Sequence, residues 1–542
     1  MKYTKINGHE FYRMVIHASN KLEEQSDYVN SLNVFPVPDG DTGTNMSMTF
    51  KAAAKEIENI NSDNIGEVSK KLAKGALMGA RGNSGVILSQ ILRGISKGLE
   101  GKKEVSSKEL SLAFQEGSKA AYKAVMKPTE GTILTIIRAA AESAVASSQS
   151  DITSLMKEIC KDSEIMLNKT PDMLPALKQA KVVDSGGMGL LIILKGMHEA
   201  LAEDIKPTIG AVSKAPAANV KAQELVSQDI KFGYCTEFIV LGDASKANSL
   251  KEKISSLGDS MIVVGYEDVI KVHIHSNDPG AVLSHAVQFG ELSKIKIDNM
   301  REEHRSLLTE SSDGEEEVAS VSENKEYGFI SVAMGSGISD IFKDLGVDYI
   351  IEGGQTMNPS TQDMVEAINK INAEHIFILP NNKNIQMAAT QAAEISDKDV
   401  RVIASKTIPQ GITAITMFNP EAKVEENEAA MIEALGMVKS ASITYAVRDT
   451  EMDGIEIREG NILGLLEGKI NQVGEDIFKV TEDVLSSMVD EDSELITLFF
   501  GEEITKEKAE EFVSVLEEKY EDLDIQLYNG NQPLYYFIMS VE

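Results

Sequence analysis

Fourteen residues near the start of the chain, Asn33-Val34-Phe35-Pro36-Val37-Pro38-Asp39-Gly40-Asp41-Thr42-Gly43-Thr44-Asn45-Met46, gather two carboxylates, two amides, two hydroxyls, two prolines and two glycines. The prolines stiffen the approach, and the glycines let backbone N–H groups come close to an anion. Hard oxygen ligands suit Mg²⁺, which keeps several waters and is held by one or two carboxylates plus substrate phosphates. Asp39 and Asp41, flanking a single glycine, are therefore candidate Mg²⁺ ligands and catalytic groups. An Asp-Gly-Asp-Thr-Gly string can also be an ordinary surface turn, so the weight of this reading comes from its surroundings.

Those surroundings are helical. Phe11, Met14, Val15, Ala18, Leu22 and Tyr28 form a helical stripe over 8–30 that the proline-rich loop ends, and further helical patterns fall at about 66–80, 84–98, 107–126, 132–147, 151–168, 172–179 and 186–203. Almost nothing in the first 205 residues alternates like a strand, which predicts an all-α unit of about eight helices over 1–204. Three more glycine-rich turns precede apolar helices in this unit: Gly75 to Gly85, containing Gly82, Asn83 and Ser84; Pro128 to Thr132; and Val183 to Gly189, containing Asp184 and Gly186. A helix start offers free N–H groups and a positive dipole end to a phosphate oxygen. Four such starts in one domain are more than turn chemistry requires, and they are expected to converge around a nucleotide. No Walker A pattern occurs in the chain.

The segment NVFPVPDGDTGTNM resembles the nucleotide loop of the DhaL (dihydroxyacetone kinase L-subunit, DAK2) domain, in the version carried by the ATP-binding subunit of bacterial fatty acid kinase, and the likeness extends along the full length. It implies an eight-helix barrel with ATP at one end and Mg²⁺, one ion or two, on the acidic loop. Asp39 and Asp41 are then the metal ligands, with Asn33, Thr42, Thr44 and Asn45 close to the phosphates. Gly82, Asn83 and Ser84 form the phosphate-side helix start, and Thr132, Asp184 and Gly186 surround the nucleotide. The glycerone kinase version has a third Asp before the pair, where Asn33 is the nearest polar group here, so a strict two-metal site is not implied.

Beyond the helical unit, 205–223 reads as a linker, 224–309 as a small α+β domain, 310–326 as an acidic linker, and 327–542 as an α/β domain that opens with three strand-loop-helix units. In the middle domain, His273 and His275 sit two apart on a strand and so share a face, with Cys235 on a neighbouring strand. One Cys and two His make a Zn²⁺ set lacking one ligand, which Glu237, Asp278 or water could supply; the resemblance implies zinc there too. In the third domain Gly335-Ser336-Gly337 and Gly353 to Ser360 follow apolar strands, where α/β sheets often bind ligands. The resemblance implies docking of a separate fatty-acid-binding subunit on this domain, and it alone suggests a homodimer.

Composition narrows the partners. The formal net charge of −32 argues against a nucleic-acid partner and disfavours adsorption to anionic lipid. With no apolar run long enough to cross a bilayer, no leader, and only Cys160 and Cys235, the cytoplasm is the expected compartment. The expected activity is phosphotransfer from ATP to the carboxylate of a fatty acid held by a carrier protein, giving an acyl phosphate for phospholipid synthesis. A fatty acid carboxylate is already ionised at pH 7 and needs no general base. The rivals are a glycerone-type kinase and a non-catalytic nucleotide-sensing scaffold.

Overall fold

The computed structural model describes residues 2–34, 40–125, 127–207, 234–242, 246–254, 257–266, 269–299, 325–354, 357–452 and 455–542. The expected linkers, apart from 205–207 and 325–326, lie outside them, as does Asp39. Residues 1–215 and 323–542 form one compact unit and 216–322 a second.

The helices of the first unit are α1 (Gly8–Glu24), α2 (Ser26–Ser31), α3 (Thr42–Ile57), α4 (Ile65–Met78), α5 (Gly82–Leu99), α6 (Ser107–Ala124), α7 (Ile133–Ala146), α8 (Ile152–Leu167), α9 (Thr170–Met173), α10 (Pro175–Ala180) and α11 (Ser185–Ala202). Eight of them have fourteen residues or more, and these pack in a closed ring in the order α1, α3, α4, α5, α6, α7, α8, α11 and back to α1. Their apolar stripes fill the ring with Phe11, Phe50, Phe114, Ile137 and Leu194 among others, so the barrel interior is a packed core. Gly94 lets α5 and α6 cross closely: a Cβ there would stand 2.4 Å from the Glu116 carbonyl oxygen.

Three local expectations are corrected. The helix expected over 8–30 breaks at Gln25, where the backbone leaves helical geometry, φ −112° and ψ 12°. A helix absent from the sequence reading, α3, starts directly at Thr42, while the pattern at 172–179 belongs to two short turns, α9 and α10. Eleven helices are thus described over 1–204 where about eight were expected, eight of them with fourteen residues or more. A two-stranded ribbon, β1 (Lys5–Asn7) with β2 (Glu104–Ser106), also joins two helix starts.

In the second unit, β3 (Tyr234–Leu241), β4 (Gly258–Tyr266), β5 (Val269–Ser276) and β6 (Glu291–Asn299) make an antiparallel sheet in the order β4-β5-β3-β6, with α12 (Ala247–Ile254) and α13 (Pro279–Ala286). The C-terminal segment carries the expected parallel sheet, β7 (Lys325–Ala333), β8 (Tyr349–Glu352), β9 (Ala373–Leu379) and β10 (Asp399–Val402), in the order β10-β9-β7-β8. Its strands are buried on both faces: Ile330, Val332, Ile376 and Ile378 enter one core, and Phe329, Ala333, Phe377 and Leu379 the other. A mixed six-stranded sheet over 439–541 follows. Its loop at Asn529–Gln532 plugs the Gly335-Ser336-Gly337 turn, where Ile338 N–H donates to the Gly530 carbonyl at 3.2 Å and a Cβ on Gly337 would lie 1.8 Å from the Asn529 carbonyl oxygen. That crevice is occupied by the chain itself.

Gly94→Ala is expected to force α5 and α6 apart and to lower unfolding free energy by about 1–3 kcal/mol in chemical denaturation, the usual cost of overpacking.

Candidate functional site

The carboxylate-rich segment runs straight into α3, so its functional groups stand at a helix N-terminus. Such an end has N–H groups that no intrahelical carbonyl accepts. Asp41 occupies the N-cap position, yet its side chain makes no capping bond. Asn30, from α2, does this instead. Its Oδ1 accepts from Gly43 N–H at 2.7 Å and Thr44 N–H at 3.2 Å, and its Nδ2 donates to Thr44 Oγ1 at 3.0 Å. Capping is taken over by a neutral amide, and the Asp41 carboxylate accepts from Asn358 Nδ2 of the C-terminal segment.

Asn33 joins the next two helix starts. Its Oδ1 accepts from the Thr42 hydroxyl at 2.7 Å and from the Ser185 hydroxyl, at the start of α11, at 3.1 Å, while its Nδ2 donates to the Asn30 carbonyl at 3.0 Å. Both acceptor positions of this amide oxygen are used. Asn33 therefore ties the start of α3 to the start of α11. Asp184 caps α11, accepting from Gly187 N–H at 2.6 Å. Burial pushes its carboxyl up to about 6, against the opposing pull of backbone hydrogen bonds from Gly187 and Ile133. The Ile133 bond ties α11 to the start of α7, which Thr132 caps through Leu134 N–H at 3.4 Å. Gly186 completes this contact: a Cβ there would stand 3.3 Å from Ile133 Cβ.

The start of α5 closes the circle and differs from the other three. Gly82 has φ +55° and abuts Asn45, whose Nδ2 would lie 2.4 Å from a Cβ at that position. Only glycine meets both demands. Arg81, at the N-cap, gives no side-chain cap to α5, so among the described residues the first turn holding Gly82, Asn83 and Ser84 is the one of the four helix starts without a side-chain cap. An uncapped helix N-terminus beside a carboxylate is suited to a phosphate bridged by a hard cation. The four turns do converge, through Asn30, Asn33, Asp184 and Asn45.

Several of these groups were not legible as site residues. Asn30 sits outside the fourteen-residue segment, with only its spacing from Asn33 as a signal. Arg81 is the single charge in its glycine-rich turn, and its partners come from about 280 residues away: its Nη1 donates to the Asn358 carbonyl at 2.8 Å, and its guanidinium lies 3.5 Å from Asp363. Asn83, expected near phosphate, donates to Asn384 Oδ1 at 3.2 Å.

In the second unit the register gathers the expected metal ligands. Cys235 pairs with His275 on β5 and Asp298 on β6, and Glu237 pairs with His273, so Cys235, Glu237, His273 and His275 hold positions on one face of the sheet. The alternate positions, Thr236, Phe238, Val240, Val272 and Ile274, are buried. Asp278 lies past the end of β5 and caps α13 through Ala281 N–H at 2.9 Å.

Asn30→Ala removes three hydrogen bonds from the start of α3 and is expected to cost about 1–2 kcal/mol of unfolding free energy, measurable by denaturant titration. A second expectation concerns Asp184. A carboxyl with a raised folded pKa binds its proton more tightly when folded, so it favours folding at low pH and loses that contribution as pH rises. Between its ordinary value of 3.8 and about 6, the stability of the native chain relative to Asp184→Asn is expected to fall by about 1–3 kcal/mol and then level off.

The DAK2 domain family matches residues 36–199, the FakA-like (fatty acid kinase) middle domain 231–307, and the FakA-like C-terminal domain 328–542. Protein YloV of Bacillus subtilis (strain 168) is 45% identical over 557 residues, covering 100% of both chains. An uncharacterized protein of Staphylococcus aureus (strain USA300) is 43% identical over 550 residues, covering 99% of this chain and 100% of its own. Among solved structures, a DegV family protein from Corynebacterium glutamicum covers 40% of this chain and 98% of its own at 14% identity and a TM-score of 0.31, a likeness too low to say more about this chain. Full-length identity to these relatives and the order of the three matched domains agree: the chain belongs to the FakA-like fatty acid kinase family.

Proposed function

We propose that the chain is the ATP-binding, catalytic subunit of a fatty acid kinase, transferring the γ-phosphoryl group of ATP to the carboxylate of a fatty acid presented by a separate binding protein. The observation that carries this reading is the placement of the Asp41 carboxylate next to the uncapped start of α5, inside the segment matched by the DAK2 domain. The family description supports the acyl acceptor. Among the described residues no helix is long and apolar enough to cross a membrane, which is compatible with delivery of the acyl chain by a carrier protein.

The donor set fits Mg²⁺: the Asp41 carboxylate, the Asn45 amide oxygen and the Thr42 and Thr44 hydroxyls are all hard oxygens. Asp41, with Asp39, would hold the ion, which when bound neutralises charge on the β- and γ-phosphates. The residues of the chain supply the rest. The α5 N–H groups take phosphate oxygens, Gly82 allows the close approach, and Asn30 and Asn33 hold the starts of α3 and α11 together. Phosphoryl transfer is mostly positioning and electrostatics, so a rigid polar cradle is what the reaction requires. An ionised carboxylate acceptor needs no base, and none of the four turns contains a histidine. For the middle domain we propose Zn²⁺ held by Cys235, His273 and His275, with a structural role.

Incubation of the full chain with Mg-ATP, a fatty acid and fatty-acid-binding proteins of the same cell, followed by hydroxylamine trapping, should yield a hydroxamate. Asp41→Asn is expected to lower that rate on the order of 100-fold or more while leaving the melting temperature near that of the parent chain. A phosphorylated small ketone with no hydroxamate would point to a glycerone-type kinase, and nucleotide binding with no product to a scaffold. Metal analysis should find stoichiometric zinc in the parent chain and little in Cys235→Ser.

A further inference from the structure

The turn Gly353 to Ser360 follows β8, and nothing in the kinase reading assigns it a role. Within it Asn358 reaches the start of α3, more than 300 residues away in the chain. Asn358 is 1% exposed there. Its Nδ2 donates to Asp41 Oδ2 and, at 3.4 Å, to Asn45 Oδ1. Its Oδ1 is buried and has no hydrogen-bond partner among the described residues.

The position of Asn358 is built. Arg81 Nη1 donates to its carbonyl, Ser360 bridges to Arg81, and Thr361 N–H donates to the Ala80 carbonyl at 3.1 Å. Pro359 restricts the backbone next to it, and Ser360 with Asp363 forms a capping box on the following helix, Thr361–Lys370. Ala80, Val86 and Ala388 form an apolar seam beside these bonds. A side chain fixed this firmly, with a desolvated acceptor left unpaired, carries a cost that a missing partner would remove. The Asp41 carboxylate and the Asn45 amide oxygen stand at the Nδ2 of the same amide. A cluster of oxygens centred on one carboxylate attracts a cation or its bound water.

We infer that Asn358 is a positioning residue of the nucleotide site: the C-terminal segment supplies, in cis, a buried amide that orients the metal-binding carboxylate of Asp41 through Nδ2. This rests on the kinase reading above, since it assigns a partner to a ligand of that metal. Groups that orient a metal ligand typically matter almost as much as the ligand.

The test is calorimetric titration of ADP into the full chain, with Mg²⁺ and separately with EDTA. Asn358→Ala is expected to weaken Mg·ADP binding about 10–100-fold while changing metal-free ADP binding by less than about twofold. Asn358→Asp places a second carboxylate beside Asp41, so its melting temperature without metal should fall, and Mg²⁺ should raise that temperature by more than it does in the parent chain. This second variant decides the matter if the alanine form folds poorly. Equal weakening with and without Mg²⁺, or no additional Mg²⁺-dependent rise in Asn358→Asp, would reduce Asn358 to a structural contact and overturn the inference. A parent chain that binds ADP without regard to Mg²⁺ would remove the kinase reading itself, and the inference with it. A parent that responds to Mg²⁺ beside variants that behave identically would remove the inference alone.

Discussion

The amide of Asn30 holds the start of α3 in place of the residue that would ordinarily do so, and the rest of the site depends on this exchange. Helix N-termini usually satisfy their N–H groups with the side chain of the N-cap residue. If Asp41 served that purpose, its charge would be spent on Gly43 and Thr44. A neutral amide from α2 satisfies the same two donors, so the Asp41 carboxylate stands at the positive end of a helix dipole without capping it. Asn33 extends the same logic to α11 through Thr42 and Ser185. Two asparagines thus bind three chain segments into one rigid rim.

Rigidity of this kind has a requirement: buried polar networks stabilise only when nearly every member is paired. The rim meets it almost everywhere among the described residues, and the exception, Asn358 Oδ1, belongs to the amide whose Nδ2 donates to Asp41. The C-terminal segment also takes part in this rim. Arg81 and Asn83, in the turn that opens α5, spend side-chain hydrogen bonds on residues 358 and 384. Compactness follows the same line, with the helical and C-terminal segments forming one unit and the middle domain another.

How much of this could be read from sequence varied with the range of the interaction. The barrel was legible because long amphipathic stripes such as that of α1 recur at helical spacing. α3 escaped because Thr42-Gly43-Thr44-Asn45 has the composition of a loop, although Met46, Phe50, Ala53 and Ile57 mark a buried helical face just behind it. The break at Gln25 has no glycine or proline to announce it. The parallel sheet was legible from its continuous apolar strands. The shared face of Cys235, His273 and His275 follows from strand alternation once the register is set, and that register is a property of the folded sheet. Asn358 lay in a turn whose composition drew notice, but nothing local says that a loop after β8 will reach Asp41. Contacts across that many residues leave no periodic trace in either partner.

The most direct measurement of the central claim is a crystal structure of the full chain with ADP and Mn²⁺ in place of Mg²⁺, read by anomalous scattering. The account predicts an anomalous peak within coordination distance of the Asp41 carboxylate, roughly 2.0–2.3 Å, with the diphosphate against the start of α5. Nucleotide bound elsewhere, or Asp41 turned to solvent with no metal beside it, would contradict it.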